Sequence, residues 1–174
     1  MAKKRKFPLS YLVVFVAALG FFVWRSRPEA SRGSVALSRT VAYQSDTLQS
    51  ARVLRILDAD TIQVVVQDSA TRRSATLTLN IHGITAAEGA LAQRAKDYLE
   101  SFITPGTDLA IDLKGRDGRG KPAAVFVVNG GRDAAVALLE TGLAQVSVSE
   151  NDSTAALYLK AQQLAQSSRS GMWK

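Results

Sequence analysis

Five short β-type segments, interrupted once by a helix and followed by two more helices, restrict this chain to a small barrel or a sandwich. Residues 52–58 and 61–67 are rich in Leu, Ile and Val and flank Asp58-Ala59-Asp60, a hairpin pattern. Residues 75–82 alternate, with Leu77, Leu79 and Ile81 on one face and Thr76, Thr78, Asn80 and His82 on the other. Residues 87–103 read as a helix in which Leu91, Ala95, Tyr98, Leu99 and Phe102 form one apolar stripe. Thr85 is its expected N-cap, and Glu88 in the first turn suits the positive end of the helix dipole. Residues 109–113 and 123–128 are two further strands around a Gly-rich turn. A helix over 132–141 ends at Gly142, which suits a left-handed cap. A last helix covers 154–166, with Leu157, Ala161 and Leu164 on one face, and Met172 and Trp173 are expected to pack back on the core. Five strands with a helix after the third suit a closed five-stranded barrel of OB type with about three helices, an α+β fold that is mainly barrel. An open α+β sandwich is the alternative.

Ahead of this domain lies an 18-residue run without charge, residues 7–24, FPLSYLVVFVAALGFFVW. As a helix it would span about 27 Å, enough for a thin hydrocarbon core. Lys3, Lys4, Arg5 and Lys6 precede it, while Phe21, Phe22 and Trp24 fall where aromatic rings favour an interface. A cleaved signal peptide needs small residues after the apolar run, and Trp24-Arg25-Ser26-Arg27-Pro28 offers a poor site. The expected organisation is a basic N-terminus over 1–6, a transmembrane anchor over 7–24, a tether over 25–49 and a folded domain over 50–174. The basic cluster favours a cytosolic N-terminus and an extracytoplasmic domain, or an organellar membrane in a eukaryote.

The net charge of +7 is misleading for function. Residues 1–47 hold 8 Lys/Arg and 2 Asp/Glu, whereas residues 48–174 hold 14 and 13. The domain is therefore close to neutral, and its net charge gives no support for nucleic-acid binding. The absence of cysteine excludes disulfides, thiolate zinc sites and cysteine nucleophiles.

Chemistry-bearing residues fall in an ordered series: Asp58-Ala59-Asp60-Thr61-Ile62, Gly83-Ile84-Thr85-Ala86-Ala87-Glu88, Asp117-Gly118-Arg119-Gly120-Lys121, Gly142-Leu143-Ala144 and Gly171-Met172-Trp173. In that order, over residues 50 to 173, the chain resembles the staphylococcal nuclease-like family. The resemblance implies a five-stranded OB barrel with three helices and Ca²⁺-dependent hydrolysis of DNA and RNA. It assigns Asp60 to metal binding and Glu88 to the general base or water-positioning role. Lys121 stands where the family carries a second phosphate-binding arginine, and Asn80 where it carries the first. Thr85 stands at a second metal-binding aspartate, Ala59 at a glycine and Ala87 at a proline.

The departures at Thr85, Lys121 and Asn80 weaken phosphodiester chemistry. Threonine is a poor substitute for a carboxylate on Ca²⁺. Lysine loses the planar fork that grips phosphate at two points, and asparagine brings no charge. Each lost preorganised donor costs roughly 10²–10³ in rate. Each retained residue also has a plain role: Asp60 in a turn, Glu88 at a helix start, Lys121 as a solvated strand-end charge. His82 reads as a surface or packed histidine, and Arg72 and Arg73 as a solvated loop, with replacement of the lost phosphate contacts as the alternative. The expectation is a membrane-anchored binding module for an unknown protein partner, with nucleic acid as a second possibility and no cofactor. A weak Ca²⁺-dependent nuclease is the alternative, and a structural subunit of a membrane assembly a third.

Overall fold

The computed structural model describes residues 48–67, 73–128 and 130–174. The expected anchor, nearly all of the tether and Arg72 lie outside them. Among the described residues, no helix is long and apolar enough to cross a membrane.

Five long strands build the barrel: β1 (Gln49–Asp58), β2 (Thr61–Gln67), β3 (Ser74–Ile81), β5 (Asp108–Arg116) and β6 (Pro122–Val128). Strands β1, β2 and β3 run as an antiparallel meander, β1 also pairs antiparallel with β5, and β5 with β6. The barrel closes where β3 meets β6 in parallel, with Asn80 opposite Ala123 and Ile81 opposite Ala124. This is the closed OB-type arrangement that the strand count suggests, and closure removes the sheet edges that an open sandwich would expose. Alternation fills the interior: Val53, Ile62, Val64, Ile81, Ile111 and Phe126 are almost wholly buried.

Helix α1 (Ala90–Glu100) enters between the third and fourth long strands. Its start corrects one expectation. The N-cap is Gly89, at φ 61, and Thr85 instead lies in a three-residue strand, β4 (Ile84–Ala86), paired with β8 (Ala144–Val146). The pairing of Thr85 with Gln145 holds the 84–86 segment extended, so the helix waits until Gly89 allows the chain to turn. Glu88 accordingly precedes the helix rather than sitting in its first turn. Ala95 and Leu99 face the core as the stripe requires, and Ile103 beyond the helix is fully buried.

Helix α2 (Ala134–Glu140) follows the short strand β7 (Arg132–Asp133), so the helical stretch begins two residues later than the sequence suggests. Asp133 caps it by accepting a hydrogen bond from Ala135 N at 2.7 Å. Helix α3 (Ala155–Ser167) buries Ala155, Tyr158, Ala161 and Ala165. Leu164, expected to face inward, is 56% exposed. Leu157 and Ala161 face the core as expected, and the alanines let the helix backbone approach closely beside the buried Tyr158 ring.

The C-terminal turn, Gly171–Trp173, returns to the end of α2. Met172 N donates to Gly142 O at 2.9 Å. Gly142 has φ 67, and a Cβ there would meet the Ser170 backbone and the Trp173 ring. Two sequence motifs about thirty residues apart thus become one contact.

Candidate functional site at one end of the barrel

Three pieces of chain meet beside the β3–β6 seam: the β1–β2 turn, the end of β3 and the β5–β6 turn. The first brings Asp60, whose backbone O accepts Ile81 N at 2.7 Å and so ties the turn to β3. Ala59, where the related motif has glycine, is 3% exposed and packs into the core. Its backbone φ is not positive, so glycine is not required there.

Asn80 comes from β3, directly opposite Thr61 in the ladder. It is 2% exposed because barrel closure covers both faces of β3 at this end. Its side chain is bonded on both sides. Oδ1 lies 3.1 Å from Thr61 Oγ1, and Nδ2 donates to Asp117 Oδ2 at 3.1 Å. The Thr61 hydroxyl also lies 3.0 Å from Asp60 Oδ1, so its one proton is shared between the two acceptors.

The β5–β6 turn is organised by Asp117. Its Oδ1 accepts the backbone N–H groups of Arg119 and Lys121, each at 2.9 Å. Burial opposes charge on Asp117, but these bonds, with those from Asn80 and the Arg119 side chain, hold its carboxyl below the usual carboxylate range. Arg119 then turns inward. Its Nη2 donates to Asp60 Oδ2 at 2.8 Å and lies 3.2 Å from Asp117 Oδ2. The hydrogen bond to Asp60, opposed by partial burial, raises the Arg119 pKa further.

Five residues are therefore brought together: Asp60, Thr61, Asn80, Asp117 and Arg119. The other residues named from the sequence are placed differently. Thr85 is half-buried in β4, Glu88 is exposed in the connection to α1, and the Lys121 side chain is exposed beyond the turn. None of the three side chains enters the hydrogen bonds around Asp60. Arg73 is exposed at the start of β3. Sequence reasoning missed Arg119. The signal lay in Asp117-Gly118-Arg119-Gly120-Lys121, where two basic residues compete for one inward position.

His82 belongs to a second polar cluster. Its Nε2 is 2.8 Å from Asp152 Oδ2, and Asp152 Oδ1 accepts both N and Oγ1 of Thr154. Nearby in charge terms is Asp133, which accepts Tyr158 Oη at 2.9 Å. Burial, only partly offset by that bond, pushes Asp133 up to about 6.

The donor set around Asp60 does not fit Ca²⁺. A hard dication needs several converging oxygens, usually with more than one carboxylate. Here one Asp60 oxygen faces a guanidinium and the other a hydroxyl, while both Asp117 oxygens are filled by N–H donors. Among the described residues, no group of three His, Cys, Asp or Glu side chains converges on a common point.

A closed barrel of five long strands with three helices is an OB-type α+β fold. The chain matches the family model described as Staphylococcal nuclease homologue over residues 64–174, and it belongs to that family. The match begins inside β2, after Asp60, although the barrel itself begins at Gln49. No curated protein matches the chain significantly.

Proposed function

We propose that this domain is a non-hydrolytic member of its family: a binding module held at a membrane by the 7–24 segment, with a protein partner and an extracytoplasmic position. The observation that carries this reading is the ion pair between Asp60 and Arg119. The one carboxylate retained from the metal-binding pattern already has a counter-ion, and the neighbouring Asp117 carboxylate shares that guanidinium while its oxygens are filled by N–H donors. Asn80, in place of a phosphate-gripping arginine, is consumed by structural hydrogen bonds. The uncharged 18-residue run supports the anchor, and the near-neutral domain favours protein over nucleic acid as partner.

The test is a plasmid and RNA cleavage assay on the full chain with Ca²⁺, Mn²⁺ or EDTA, beside an Asp60→Ala/Glu88→Ala control. No cutting above the control is the expected result. Metal-dependent cutting that the control lacks would return the domain to the nucleases, with Asp60 and Glu88 as metal and water residues and Lys121 on phosphate.

A further inference from the structure

Carboxylates buried in a protein need a partner, and a metal ion and a guanidinium meet that need in different ways. The metal draws several oxygens toward one point. The guanidinium is planar and presents N–H donors along its edges, so one group can bridge acceptors that do not converge. The second arrangement is the one built here.

Asp60 is 7% exposed and cannot carry an unpaired charge without large cost. Arg119 Nη2 meets it at 2.8 Å. The same nitrogen lies 3.2 Å from Asp117 Oδ2, and Arg119 Nε donates to that oxygen at 3.3 Å. One guanidinium thus links two carboxylates from two separate turns. Its own position is fixed at the backbone: Asp117 Oδ1 accepts Arg119 N, Gly120 N donates to Asp117 O at 2.9 Å, and Gly120 at φ 76 takes a conformation that side-chain-bearing residues resist. Arg119 is therefore placed by the turn.

We propose that Arg119 is the built-in cation of this site, holding Asp60 and Asp117 where a divalent metal would otherwise be needed, so that this end of the barrel is complete without metal. The inference deepens the non-hydrolytic reading and rests on it.

The test is thermal unfolding and calorimetric titration of the full chain with Ca²⁺, for the wild type, Arg119→Gln, Arg119→Lys and Asp60→Asn. The wild type should show no saturable Ca²⁺ binding and no Ca²⁺-dependent shift in Tm. Arg119→Gln should melt a few degrees lower. Millimolar Ca²⁺ should then restore part of that loss through the freed Asp60 carboxylate, while Asp117 keeps its N–H donors from Asn80, residue 119 and Lys121. Arg119→Lys, which keeps the charge without the fork, should fall between the two. A Tm of Arg119→Gln equal to wild type, or a lowered Tm that Ca²⁺ does not raise, overturns the proposal. The wild-type arm decides even if Arg119→Gln fails to fold: a saturable rise in Tm with Ca²⁺ that Asp60→Asn abolishes overturns it directly. Ca²⁺ binding without cleavage would remove this inference and leave the non-hydrolytic reading standing, whereas metal-dependent cleavage would remove both.

Discussion

His82 Nε2 and Asp152 Oδ2 stand 2.8 Å apart and tie the end of β3 to the segment that leads into α3. Seventy residues of sequence separate them. Burial raises the cost of charge on Asp152, but the two bonds from Thr154 and the His82 contact hold its carboxyl below the usual range. A lowered folded-state pKa means stability that is present above the unfolded value, 3.8, and lost as pH falls through the folded one. Asp152→Asn should therefore lower stability at pH 7 by about 1 kcal/mol. The gap to wild type should close in acid, below the ordinary carboxylate range. Urea unfolding at neutral and acid pH checks both statements, and a gap that widens in acid would contradict them.

Asp133 should show the opposite sign. Its folded-state pKa is raised to about 6, so its contribution is fully present below 3.8 and disappears as pH rises through 6. The full shift corresponds to about 3 kcal/mol. Asp133→Asn keeps an oxygen for Ala135 N and can still pair with Tyr158, but it carries no charge. Between pH 4 and pH 7 the wild type should lose stability relative to this variant. Denaturant midpoints across that window measure the slope, and parallel curves would show that Asp133 does not titrate there.

Asn80→Arg restores the residue type expected from the family pattern, yet it should not restore cleavage. Asn80 is 2% exposed and bonded on both sides, to Thr61 and Asp117. A guanidinium there must expel those partners, and overpacking a filled site costs about 1–3 kcal/mol. The expected outcome is a lower Tm and no gain in metal-dependent cutting of plasmid DNA.

Gly142→Ala tests the contact between the two glycine motifs. The position has φ 67, and the added Cβ would run into the Ser170 backbone. Alanine where φ is positive destabilises by more than about 1 kcal/mol. The variant should melt lower and should free the Trp173 ring from its packing. Trp173 fluorescence, read against a Trp24→Phe background, reports the second effect.

Much of the barrel was legible because its strands are long enough to show alternation. Residues 61–67 and 109–113 declare an inward face through Ile62, Val64 and Ile111, all fully buried. Strands β4 and β8 were not legible, since three residues are too short for any period to register. The α3 face was misjudged only at Leu164, for a related reason: hydrophobicity ranks Leu164 above Ala165, but close helix packing selects the smaller residue, while Leu157 and Ala161 face the core as expected. At the candidate site, Asp60 and Asn80 were singled out by the resemblance to the family's motifs. Arg119 was not, because the direction its side chain takes depends on how the Asp117 turn folds. That path is set by hydrogen bonds to a side-chain oxygen, which no hydrophobic pattern records.

The barrel closes through a seam only two residue pairs long, and one of them contains Asn80. The same side chain reaches across to Asp117, and through it to Arg119. The polar cluster is therefore also the clasp of the barrel. A ligand that drew Arg119 or Asp117 outward would pull on the seam that keeps the cylinder shut. Occupancy at this end would then be felt at β3 and β6 along their length, and amide exchange on those two strands would register a visitor that never touches them.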